Sequence, residues 1–106
     1  MQKNLITLTI LATAGFAFAE LPPPTHADVA YGSHPRNVLD LWLAPSDKPT
    51  PLLVNIHGGG FRGGDKRKFS ASLIEKMHKE GISVASINYR FKENGKGRFE
   101  GENPLY

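Results

Sequence analysis

Five adjacent residues, His57-Gly58-Gly59-Gly60-Phe61, concentrate more potential chemistry than any other stretch of the chain. Three glycines in a row leave the backbone N–H groups unshielded by Cβ atoms. They can take left-handed φ values and let another group approach the main chain closely. The chemistry on offer is recognition of negative charge by main-chain donors, beside an imidazole that can donate or accept a proton. A second pattern overlaps the first. Gly58-x-Gly60-x-x-Gly63 after an apolar run matches a dinucleotide phosphate loop. A Walker loop is excluded, because Asp65 stands where the lysine after Gly59-x4-Gly64 would be needed.

The elements around these residues are readable from periodicity. Leu52, Leu53, Val54 and Ile56 form a nearly continuous apolar run, which predicts a parallel strand covered on both faces and ending at the glycines. Residues 37–43 alternate: Leu39, Leu41 and Leu43 share one face, and Val38, Asp40 and Trp42 the other. Asp40 is the odd residue, expected to bond nearby backbone or Arg36. A helix follows the polar loop 61–68, capped by Ser70 or Ser72, with Ser72-x-x-Glu75 as a capping box. Leu73, Ile74 and Met77 make its apolar face, and Gly81 is placed as a C′ glycine. His78 is expected to face solvent, as are His26 and His34. Residues 82–89 are rich in β-branched side chains and predict the next strand, so strand, helix and strand make one right-handed βαβ unit. With no neighbour beyond it, that last strand is expected to expose an edge.

His57-Gly58-Gly59-Gly60-Phe61 resembles the HGGG oxyanion-hole motif of α/β-hydrolase esterases and lipases, in the hormone-sensitive-lipase-like and carboxylesterase branches. The resemblance spans residues 31–89. Asn37-Val-Leu-Asp-Leu-Trp-Leu-Ala-Pro45 is similar to the family's second strand, and Ser83-Val-Ala-Ser-Ile-Asn-Tyr-Arg90 to its fourth. It implies an α/β fold: the amino-terminal part of an α/β-hydrolase sheet, with opening antiparallel strands and then the βαβ unit. It implies carboxylic-ester hydrolysis, with Gly59 and Gly60 as oxyanion donors, Gly58 as a third candidate, and His57 supporting the loop rather than acting as base. Phe61 is expected to line the entrance for a small-molecule ester. In such a family the nucleophile sits on a strand–turn–helix elbow followed by an acid and a histidine. The nearest match here, Gly81-Ile-Ser83-Val-Ala85, runs from helix into strand, so Ser83 reads as an ordinary strand residue. The expectation is a chain truncated before its nucleophile and inactive alone. The alternatives are a non-catalytic secreted α/β-hydrolase-like module and a nucleotide-binding βαβ unit. The latter suffers because the helix starts near Ser70, away from the glycines, and no acid ends the next strand.

Composition and the chain ends set the remaining bounds. The 106 residues carry a formal net charge of +3 and 40% hydrophobic residues, enough for one small domain. The dense basic cluster, Arg62-Gly-Gly-Asp-Lys-Arg-Lys68, is interrupted by Asp65 and reads as a solvated loop, so no nucleic-acid partner is expected. There is no cysteine, and no His/Asp/Glu cluster has metal-ligand spacing, so neither metal nor cofactor is expected. Residues 1–19 combine Lys3, an apolar core and Ala17-Phe-Ala19, the pattern of a cleavable signal peptide. Export to the periplasm or cell exterior follows, with no membrane span left after cleavage. Residues 20–30 read as an extended tether with three prolines and a candidate first strand, and residues 31–106 as the hydrolase portion.

Overall fold

A computed structural model describes residues 20–92; residues 1–19, the expected signal peptide, and residues 93–106 lie outside the described residues. Five elements follow one another: β1 (His26–Ala30), β2 (Val38–Trp42), β3 (Leu52–Ile56), α1 (Ala71–Lys79) and β4 (Ser83–Ile87). The strands form one mixed sheet in the order β1-β2-β4-β3. β1 and β2 pair antiparallel, as do β2 and β4, while β3 and β4 are parallel and joined through α1. This is the fold class that the sequence implies.

Two strand expectations need correction. β4 is central, between β2 and β3, and the strand at the sheet margin is β3. β3 is also covered on one face only, for Leu52, Val54 and Ile56 are exposed. A continuous apolar run reads alike whether both faces are covered or one, and a βαβ crossover does not say which of its strands ends outermost.

Register explains which face is dry. Leu41, Ala85 and Val54 stand side by side across the sheet, as do Leu39, Ile87 and Ile56. On the opposite face Trp42 and Val84 join Ile74 of α1 in the core, with Leu21, Leu53, Phe69 and Met77 against them. Trp42 meets Phe69 edge-on at 5.6 Å and donates its indole N–H to the Pro22 carbonyl at 2.8 Å, so the proline-rich segment lies against the sheet.

The ends of α1 are chemically defined. Ser70, not Ser72, is the N-cap, and its Oγ accepts from the Ser72 N–H at 3.3 Å. At the other end Gly81 has φ +70°, its N–H reaches the His78 carbonyl, and the Ile82 N–H reaches that of Met77. That is a Schellman closure, which a left-handed glycine makes inexpensive. His78 is half-buried rather than solvent-facing: Nε2 lies 3.2 Å from the Trp42 carbonyl, tying the helix end to β2.

Candidate functional site

β3 delivers the chain to His57, and the glycines then turn it sharply. Gly59 has φ +134°, Gly60 +61° and, unusually for a side chain with a Cβ, Phe61 +59°. The Arg62 N–H closes back on the Gly59 carbonyl at 3.0 Å, so Gly60 and Phe61 are the central residues of a turn with positive φ at both, the hallmark of a mirror-image turn. A non-glycine residue there costs about 1–2 kcal/mol. Phe61 is held by the Lys92 N–H on its carbonyl at 2.7 Å and by its ring edge-on to Tyr89 at 5.4 Å.

The loop folds back upon itself. A Cβ on Gly59 would collide with the Gly63 carbonyl, and one on Gly64 with His57 Nδ1 and the Gly58 carbonyl. Gly58 and Gly60, by contrast, have open space where a Cβ would project. Among the described residues, neither the Gly59 nor the Gly60 N–H has an acceptor. Both donors belong to the turn beside an apolar cavity of about 450 Å³, lined by Ile56, His57, Gly58, Gly60, Phe61, Ile87 and Tyr89. The cavity opens at the carboxyl ends of β3 and β4, where α/β sheets hold their ligands.

His57 is buried in the loop's floor. Its ring stacks on Tyr89 at 4.3 Å and 18°, and Nδ1 lies 2.7 Å from the Gly58 carbonyl, so a proton on Nδ1 would bond that oxygen. Tyr89 in turn donates its hydroxyl to the His57 carbonyl at 2.9 Å. Nε2 is buried without a partner among the described residues. Arg36, expected near Asp40, instead donates to the Tyr89 carbonyl at 2.9 Å and the Gly64 carbonyl at 3.2 Å, with its guanidinium 3.7 Å over the Phe91 ring.

Asp40 has a different cation. Lys66 Nζ lies 2.7 Å from Asp40 Oδ2 and 2.9 Å from Asp28 Oδ1, and Asp40 Oδ1 accepts the Asp28 N–H at 2.9 Å. Lys66 and Asp40 are both buried, so the basic loop is not solvated throughout. Burial alone would lower the Lys66 pKa; the hydrogen bonds it donates to the two carboxylates outweigh it and hold the ammonium above its ordinary 10.5. Asp65 moves down from its ordinary 3.8, because the Arg67 N–H, the Asn88 amide and nearby Lys66 and Arg36 overcome its own partial burial. The Lys66 backbone is pinned too: its N–H meets Asn88 Oδ1 at 2.8 Å, and its carbonyl accepts the Ser86 hydroxyl at 2.6 Å.

Of the other residues weighed from sequence, Ser83 is buried in β4, where its Oγ accepts the Ala44 N–H at 2.9 Å and sits 2.6 Å from the Thr50 hydroxyl. His34 accepts the Arg36 N–H through Nδ1 at 3.1 Å, and His26 lies exposed in β1. α1 begins at Ala71, well beyond the glycines, so no helix N-terminus faces the Gly58–Gly63 pattern. Among the described residues no group of three His, Cys, Asp or Glu is arranged to hold a metal ion. The sequence assigned no role to Lys66, Asn88 or Tyr89, and it paired Arg36 with Asp40 rather than with the Tyr89 and Gly64 carbonyls. The available signal for Lys66 was Asp40, a carboxylate on an otherwise core-facing side of β2.

The BD-FAE family model matches residues 39–98, more than half of the chain and including both strands that flank the glycine loop. The chain belongs to the BD-FAE family. Its curated relatives agree in chemistry. Over 64 residues it is 42% identical to a probable isoprenylcysteine alpha-carbonyl methylesterase of Oryza sativa subsp. japonica, covering 58% of this chain and 15% of that protein. Over 67 residues it is 34% identical to the esterase LipQ of Mycobacterium tuberculosis (strain ATCC 25618 / H37Rv), and 36% identical to the probable carboxylic ester hydrolase LipM of the same organism. Each of those two matches covers 59% of this chain and 16% of the relative. This BD-FAE chain therefore spans about one sixth of the length of such relatives, and that portion contains the glycine turn.

Proposed function

We propose that these residues form the oxyanion loop of an exported carboxylic-ester hydrolase working by a serine mechanism. The observation that carries this is the pair of acceptor-free N–H groups at Gly59 and Gly60, beside an apolar cavity at the carboxyl end of β3. In ester hydrolysis a hydroxyl oxygen attacks the carbonyl carbon, and the carbonyl π pair moves onto oxygen. Two N–H groups already fixed in a strained turn stabilise that charge without reorganising; loss of one such donor costs about 2.7–4 kcal/mol, or roughly 10²–10³ in rate. His57 holds the turn through Gly58 and Tyr89. Phe61 and Tyr89 wall the cavity against water, and Gly58 leaves room for the ester. The relatives' names share ester hydrolysis, and LipM's names the carboxylic ester, which is the bond assigned here. Export rests on the leader pattern of residues 1–19.

The nucleophile, acid and base are not among the assigned residues. The 106-residue chain by itself is expected neither to hydrolyse p-nitrophenyl acetate above background nor to be labelled by a serine-directed phosphonate; labelling would overturn the assignment of roles. The positive test is a chimera in which LipQ carries this chain's residues 39–92 in place of its own matching segment. Retained ester hydrolysis, lowered about 10²-fold or more by Gly60→Ala, whose Cβ at φ +61° keeps the N–H but strains the turn and shifts that donor, is the expected result. A folded chimera without hydrolysis would refute the oxyanion reading.

A further inference from the structure

We propose that Lys66 is a positioning residue that locks the glycine turn to the opening β-hairpin through Asp40 and Asp28. This rests on the oxyanion reading of the glycines. The path is short. Lys66 lies two residues after Gly64, and Gly64 is seated so closely against His57 and the Gly58 carbonyl that no Cβ fits between them. Fixing Lys66 therefore fixes the floor beneath the turn.

The fixing is many-sided. Nζ is held by Asp40 of β2 and Asp28 of β1, the backbone N–H by Asn88, and the carbonyl by Ser86 of β4. Arg36 adds a bond to the Gly64 carbonyl from the segment leading into β2. The hairpin is shaped for this task. β1 breaks register between His26 and Val29, and Asp28 takes φ +52° within that irregularity. The break aims the Asp28 N–H at Asp40 Oδ1 and its carboxylate at Lys66 Nζ. A buried ion pair seldom adds net stability over a well-packed apolar pair, but it strongly penalises any arrangement that separates the charges. Such a device sets a unique loop position rather than the stability of the sheet. Its removal should loosen the loop selectively.

The test is hydrogen–deuterium exchange by mass spectrometry on the full chain, comparing wild type with Lys66→Met and Asp28→Asn. Expected is exchange about tenfold faster across residues 57–66 in Lys66→Met and about threefold faster in Asp28→Asn, with β4 within about twofold of wild type. The Asp28 side chain is 72% exposed, and asparagine tolerates positive φ, so Asp28→Asn carries the test if Lys66→Met does not fold. Unchanged exchange over residues 57–66 overturns the lock, and so does equal acceleration of loop and β4. In a LipQ chimera extended to carry residues 26–92, so that Asp28 and Asp40 are both present, Lys66→Met should lower kcat about tenfold with KM within about twofold, because the donors act on the transition state; a rise in KM alone overturns positioning. Loss of hydrolysis in the unmutated chimera sinks the oxyanion reading alone, and the exchange data then still decide the lock.

Discussion

A methyl group added at Gly59 would meet the Gly63 carbonyl at a φ of +134°, whereas at Gly58 it would project into free space with no such backbone constraint. These neighbours should therefore fail in different ways. Gly59→Ala should destabilise the fold by more than about 1 kcal/mol, read as a lower midpoint in chemical denaturation. Gly58→Ala should leave that midpoint within about 0.5 kcal/mol. In the chimera it should still weaken hydrolysis, since its methyl occupies room beside the cavity. The two titrating loop residues set a pH window. Asp65 is depressed in the folded state, so its contribution is present above its ordinary 3.8 and fades as acid is added through the lower folded value. Lys66 is raised, so its contribution is complete below 10.5 and fades as alkali is added through the higher folded value. Loop protection should thus be level across neutral pH and decline at both extremes, as exchange corrected for its intrinsic pH dependence would show. The turn itself was legible, because successive glycines readily take the positive φ seen at Gly59 and Gly60. The burial of Lys66 was not, since a lysine between Asp65 and Arg67 has the local composition of a wet loop and its partners lie far back in the chain.

Among the elements, β2 and α1 were the most legible. The alternation of β2 put Asp40 and Trp42 on one face, and both are buried there. The helix start was ambiguous between two serines; Ser70 prevails because its Oγ, two residues earlier, reaches the Ser72 N–H. Ser70→Ala should cost about 1 kcal/mol. Gly81→Ala should cost about as much or more, because the Schellman closure requires φ +70° there. Both are measurable as shifts in thermal midpoint. The depth of β3 was illegible for a general reason. Periodicity reports which side chains are apolar, not which layer reaches them, and Leu52, Val54 and Ile56 are apolar yet exposed.

Across the whole molecule, the same face carries Leu43, Leu52, Val54 and Ile56, all exposed among the described residues, with β3 at the sheet margin. An uncovered apolar face beside an open strand edge favours association. The 106-residue chain should self-associate as its concentration rises. Val54→Lys and Ile56→Lys should reduce that association in sedimentation velocity without altering the core on the opposite face. Unchanged sedimentation in both variants would place the association elsewhere.

The sheet order has a consequence in time. β2 and β3 are consecutive in the chain but not adjacent in the sheet; β4 fills the place between them. A ribosome adding about 5–20 residues per second makes β3 and its turn seconds before β4 exists. Through that interval the glycine segment has neither Ser86 nor Asn88 to rest on, although Lys66 and its two aspartates have already been made. The turn is thus made well before the strand that anchors it and is among the last parts of its site to be set, which makes synthesis rate a variable that tunes how much of this protein matures correctly.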